Sequence, residues 1–187
     1  DFKQQIEWVE KQLLCTPCDA IGEVGIDLYW SKEYHEEQKS AFRTQLKIAK
    51  ETNLPIIIHN RESFEEVLKI VNEEQNGTLK GVFHCFSGDS IQAKKIIDLG
   101  FFLGIGGVVS YKNSKLPSVL EKISAKHLLL ETDSPYLPPV PYRGKRNESS
   151  YLSLIAQKIA EVMHVSTEEI AKTTSSNACR LFNIQSF

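Results

Sequence analysis

The sequence has no apolar run approaching the ~20 residues needed to cross a bilayer, so no membrane span is legible in it. It has only four cysteines in 187 residues. That is too few for a disulfide scaffold and points to a reducing cytoplasm. Cys15-Thr16-Pro17-Cys18 makes one CxxC, but no second pair completes a zinc site. Charge of one sign is lacking too: 22 Lys and Arg against 24 Asp and Glu leave a formal net charge of -2. This balance excludes broad, non-specific wrapping of nucleic acid and leaves room for a local basic site. No signal-peptide pattern, low-complexity tract or linker is legible, so residues 1–187 read as a single domain.

What is present is a β-α alternation with a period near ~27 residues, which implies parallel strands and right-handed crossovers. Phe2, Ile6, Val9 and Leu13 form one helical stripe. A strand follows over Ala20 to Ile26. The next helix, from near Glu33 to Thr52, has inner rows Ala41, Gln45, Ile48 and Phe42, Leu46, Ala49, and Asn53 with Pro55 ends it. Pro55-Ile56-Ile57-Ile58-His59, Gly81-Val82-Phe83-His84, Phe101 to Ile105 and Leu128-Leu129-Leu130 read as further buried strands. The stripes Phe64, Val67, Leu68, Val71 and Ala93, Ile96, Ile97 predict helices between them. So does Leu116, Val119, Leu120, Ile123. Two helices close the chain, the last with a capping box from Ser166 to Glu169. A doubly wound sheet would accommodate five such strands. A barrel fits better, because the strand ends all deliver polar groups toward one point.

Those groups are Glu23, His59, His84 and Asp133, each at or just past the end of an apolar run. All four types bind divalent metal. Two imidazoles with carboxylates suit zinc, manganese, nickel or iron, and magnesium less well. A metal there lowers the pKa of bound water and polarises a phosphoryl or carbonyl oxygen. Arg61, two residues past His59, and Arg143, Arg146 and Asn147, in the loop leaving Asp133, favour phosphate, which arginine grips through paired donors. Ser87-Gly88 after His84 adds a hydroxyl and backbone donors. Gly104-Ile105-Gly106-Gly107 lacks the full GxGxxG spacing of a phosphate loop. Tyr29-Trp30 reads as a plug at the rim or a base-stacking platform, with the plug preferred. His35, His127 and His164 read as structural or solvated.

The motifs Gly22-Glu23-Val24-Gly25-Ile26-Asp27, Leu54-Pro55-Ile56-Ile57-Ile58-His59-Asn60-Arg61, His84-Cys85-Phe86-Ser87-Gly88 and Glu131-Thr132-Asp133-Ser134-Pro135 resemble the TatD family of metal-dependent hydrolases. Arg143 to Glu148, Asn177-Ala178 and Leu181-Phe182 fit as well. The resemblance implies an α/β fold, a TIM-like (β/α)8 barrel of the amidohydrolase superfamily. It implies one or two divalent ions (zinc, manganese, magnesium or nickel) and phosphodiester hydrolysis as a deoxyribonuclease, exonucleolytic, on 3' ends or single strands of DNA. By it, Glu23 bridges or ligates the metals and His59 and His84 hold one of them. Asp133 ligates the other or takes a proton from water. Two departures stand out. The Asp-x-His-x-His strand that opens the family's pattern is not in this sequence, so the chain reads as strands four to eight with their helices. Ser149 replaces a proline common after Asn-Glu. The same scaffold also suits a small-molecule amide or ester hydrolase, or an inert partial barrel that serves as a binding subunit.

Overall fold

The apolar runs become strands because they alone can be buried on both faces, and the striped segments between them become helices. The computed structural model describes residues 2–185. Its elements are α1 (Phe2–Cys15), β1 (Ile21–Asp27), α2 (His35–Thr52), β2 (Ile56–Arg61), α3 (Phe64–Glu74), β3 (Gly81–Phe83), α4 (Ser90–Asp98), β4 (Phe102–Ile105), α5 (Leu116–Leu120), β5 (Leu128–Leu130), α6 (Leu152–Met163) and α7 (Thr167–Phe182). The strands lie in the order β1-β2-β3-β4-β5, and the β1–β2 and β4–β5 ladders are parallel. A doubly wound sheet reverses its strand order at a switch point. Strict sequence order is instead the rule of a (β/α) barrel, so this is a partial barrel. The chain divides into two compact units within β3, after Val82.

In the first unit, β1 and β2 pair with Val24 opposite Ile58, Gly25 opposite His59 and Asp27 opposite Arg61. The register is irregular between Ile21 and Val24. There the expectation of a continuously buried strand fails, for Gly22 and Glu23 are exposed. Irregularities of this kind re-aim side chains, and here the irregular stretch leaves Glu23 exposed. Phe42, Leu46 and Ala49 of α2 and Val67, Ile70 and Val71 of α3 are buried with Ile26, Ile56 and Ile58. Asn53 caps α2 in the left-handed conformation at φ 55°, a role for which asparagine is suited. The start of α3 is tied to β1 by the buried Ser63, whose hydroxyl donates to the Ile26 carbonyl at 2.6 Å. Lys50 donates to Glu74 at 2.7 Å and holds that carboxyl below its usual value.

In the second unit, Leu103 lies opposite Leu128 and Ile105 opposite Leu130. Phe83 meets Phe101 edge to face at 5.6 Å between centroids. A full capping box, Asp89 with Gln92, opens α4. At α7 the Ser166 hydroxyl accepts from the Glu169 N–H at 3.1 Å. Helix α5 stops at Leu120, so the Ile123 stripe position lies beyond it. The buried Asn177 of α7 donates to the carbonyls of Ala125 at 2.9 Å and Leu128 at 2.8 Å, which pins the helix to the start of β5. Among the described residues no helix is long and apolar enough to cross a membrane.

Replacing Asn177 with alanine keeps the helix but strips both carbonyls of their donor. We expect a loss of about 1–3 kcal/mol in stability, read as a lower urea midpoint. Alanine at the exposed Lys172 should change stability by less than about 0.5 kcal/mol. Equal midpoints for the two variants would show that Asn177 does not pin α7.

Candidate functional site

In the first unit the register builds the site. Gly25 stands opposite His59, and a Cβ there would collide with the His59 carbonyl. Glycine thus lets β1 run close enough for its acids to reach the His59 ring. They do so on both sides. Asp27 Oδ2 lies 3.1 Å from Nε2 and Glu23 Oε1 lies 2.8 Å from Nδ1. Asp27 is itself braced: its N–H donates to Gln38 Oε1 at 2.8 Å and its carbonyl accepts from Gln38 Nε2 at 3.2 Å. Its Oδ1 accepts from the Tyr29 N–H at 2.9 Å. A neutral imidazole has only one N–H, so it cannot donate to both acids. Two ligand atoms each about 2.0–2.1 Å from a tetrahedral ion stand roughly 3.3 Å apart. At 2.8 Å the Nδ1 and Glu23 Oε1 atoms stand closer than that, at hydrogen-bond distance, and both atom types are ones that bind a divalent metal.

Arg61 ends β2 two residues on, exposed, with its guanidinium 3.6 Å above the Tyr29 ring and 5.7 Å from Trp30. The plug reading of Tyr29-Trp30 is corrected here. Trp30 is 80% exposed and stops nothing up.

The second unit repeats the pairing. His84 follows β3, and its Nδ1 faces Glu131 Oε1 at 3.5 Å. The same oxygen accepts from the Cys85 N–H at 2.6 Å. Gly104 makes room for this, because a Cβ there would strike the Glu131 carboxylate. Cys85 and Asp133 both have left-handed backbones, at φ 49° and 57°. Such conformations cost energy in residues with side chains and collect at functional turns. Asp133 is half-buried, and its carbonyl accepts from the Tyr136 N–H at 2.8 Å.

The loop after Asp133 is held by Asn147. That residue is 2% exposed, and its amide donates to the carbonyls of Thr132 and Tyr136 at 2.6 Å each. Its Oδ1 accepts from the Glu148 N–H at 2.9 Å. The expectation that Asn147 contacts substrate is therefore corrected: both its amide hydrogens are spent on the loop. Arg143, Arg146 and Ser87 are exposed. The Arg143 guanidinium lies 4.7 Å from the Tyr111 ring centroid. Burial raises the Tyr111 phenol above its ordinary value, against the Arg143 charge, and its hydroxyl donates to the Pro138 carbonyl at 3.0 Å.

Asp27 and Glu131 are the residues that sequence reasoning missed. Each is the acid that faces a histidine at a strand end, as orienting carboxylates do beside metal-ligating histidines. A signal existed, since both lie inside the motifs quoted above: Asp27 four residues after Glu23, Glu131 two before Asp133.

The family model described as TatD related DNase matches residues 1–183. The chain is 44% identical to "Uncharacterized metal-dependent hydrolase YabD" of Bacillus subtilis over 97% of its own length and 72% of that protein's. It is 39% identical to "Uncharacterized metal-dependent hydrolase YcfH" of Escherichia coli over 88% of its length. It spans 63% of YcfH, less than two thirds. Among solved structures, the TatD homologue YjjV of Escherichia coli superposes with a TM-score of 0.83 at 32% identity, over 89% of this chain and 64% of that one. A TatD family hydrolase of Entamoeba histolytica gives 0.81 at 25% identity, over 98% and 69%. With its partial barrel, its acid-flanked histidines and a family match over nearly its whole length, this chain belongs to the TatD family of metal-dependent hydrolases.

Proposed function

We propose that this chain carries a metal-dependent phosphodiesterase site whose substrate is DNA, cleaved exonucleolytically at 3' ends or on single strands. The observation that carries the reading is the His59 ring, flanked on both nitrogens by carboxylates. Glu23 and His59 of the first unit, and His84 and Asp133 of the second, are the residues we assign as donors to one or two divalent ions. Zinc, manganese, nickel and magnesium are the candidate ions. When bound, the metal supplies a water of lowered pKa and a positive charge beside the phosphoryl oxygen.

The chain's own residues supply the rest. Asp27 and Glu131 hold the two imidazoles so that one nitrogen of each keeps its lone pair for the metal. Asp133 accepts the proton of the attacking water. Arg61, Arg143 and Arg146 offer forked N–H donors to phosphate oxygens, and Ser87 adds a hydroxyl. The DNA assignment draws on the family's description as TatD related DNase and on these exposed guanidinium groups. The cytoplasm is the compartment we assign, in keeping with four cysteines that form no disulfide.

Two variants test the roles in the full-length protein. Asp27→Asn and Glu131→Gln keep shape and remove charge. Each should lower metal affinity by about 10- to 100-fold, measured by calorimetric titration of manganese or zinc, with the circular dichroism spectrum preserved. Undiminished affinity in both would detach these acids from the metal site. Asp133→Asn should fold normally yet cut metal-dependent release of nucleotides by at least about 100-fold. Near-normal turnover would remove Asp133 from the chemistry. Amide and ester substrates assayed in parallel identify the class of bond cleaved.

A further inference from the structure

Beside the acid-flanked His59, three planar groups meet in the open. Tyr29 and Trp30 touch edge to face, their centroids 4.8 Å apart at 88°. Arg61 lies over Tyr29 at 3.6 Å. Trp30 is 80% exposed and Tyr29 49%. Large exposed aromatic surface is what calls for explanation in a folded protein, since burial of rings is the norm. Arg61 is unusual in a second way. Its guanidinium lies against these two rings, and among the described residues no carboxylate pairs with it. Its guanidinium therefore keeps its N–H fork for a ligand, while the ring beneath fixes its plane. Register ties the cluster to the site: Arg61 stands opposite Asp27 across the ladder, and Asp27 holds both the Tyr29 N–H and the His59 ring.

We infer that Tyr29, Trp30 and Arg61 form a stacking platform for one unpaired nucleobase of a single-stranded DNA end, with Arg61 on its phosphate. The chemistry selects this occupant. A nucleotide carries a flat ring and an anion side by side, which matches an exposed indole next to an unpaired guanidinium. A base within a duplex has both faces covered by its neighbours, so only an unstacked one can lie on Trp30. This inference rests on the proposed action on DNA and adds how the strand is gripped. It also makes Trp30 a specificity determinant for single strands.

The test separates the platform from the chemistry. Affinity is measured in the full-length protein with EDTA present, by fluorescence anisotropy, for a labelled oligothymidine and for an abasic strand of equal length. Both strands carry the same phosphates and differ in bases alone. Wild type should prefer the base-bearing strand by about 5- to 100-fold. In Trp30→Ala that ratio should fall toward one, and Trp30→Phe should restore most of it. A ratio unchanged in Trp30→Ala overturns the platform, whether or not the enzyme cleaves DNA. Cleavage by wild type is scored separately, with manganese. No cleavage, together with a ratio that depends on Trp30, removes the nuclease reading and leaves the platform standing.

Discussion

The pairing of Gly25 with His59 is the constraint on which the first unit's chemistry depends. A parallel ladder fixes which residues face each other, and a slip of one residue turns every side chain to the opposite face. With Gly25 at His59, the acids two positions before and after it, Glu23 and Asp27, come to lie on either side of one imidazole. Any side chain at Gly25 would meet the His59 carbonyl and push β1 away. The distances of 2.8 and 3.1 Å to the ring would then open, and the ring would lose the restraint that sets which nitrogen is available. Glycine costs strand stability, and here that cost is spent on approach. Ser63 defends the same arrangement from beneath. Its hydroxyl on the Ile26 carbonyl fixes the strand segment between Gly25 and Asp27 to the start of α3.

The second unit meets the same requirement with different parts. His84 leaves β3 rather than sitting within it, so its orienting acid comes from beyond β5. Gly104 supplies the empty space that Gly25 supplies in the first unit, this time for a carboxylate rather than a carbonyl. Glu131 then serves two groups, the His84 ring and the Cys85 N–H. The second contact matters because Cys85 is left-handed. A charged acceptor on its N–H is a strong hydrogen bond, and it offsets the strain of that turn. Asp133 is treated likewise: its unfavourable φ is over-determined by the Tyr136 N–H on its carbonyl and by Asn147 across the loop.

Much of this was legible in the sequence, and the parts that were not share a cause. The strands were visible because Ile56-Ile57-Ile58 and Leu128-Leu129-Leu130 can only be buried, and the helices because their stripes repeat at helical spacing. Glu23, His59, His84 and Asp133 stood out because polar residues rarely end such runs by chance. Asp27 did not, since its partner lies across a ladder, 32 positions on in the chain. Asn147 misled for the opposite reason. Its neighbours Lys145, Arg146 and Glu148 are exposed, so a buried amide among them looked like part of a basic, substrate-facing turn. Its true partners, the carbonyls of Thr132 and Tyr136, carry no side-chain signature at all. The exposure of Glu23 was hidden as well, because a register irregularity leaves no trace in composition.

The arginines show how the fold keeps a cation available beside so many acids. Elsewhere several basic groups are consumed: Lys50 by Glu74, Arg43 by Glu73 and Glu74, Lys94 by Asp98. A guanidinium near the site that found a carboxylate would be neutralised and turned from solvent. Arg61 and Arg143 each lie against an aromatic ring instead, Tyr29 and Tyr111. A ring attracts the cation by about 0.5–1 kcal/mol at an exposed position without occupying its N–H groups. The side chain is thereby restrained while its donors stay open, so an anion that binds it costs less rotamer entropy. Lysine in the same places would lack the flat face that stacks, so charge alone would not hold a side chain in this way.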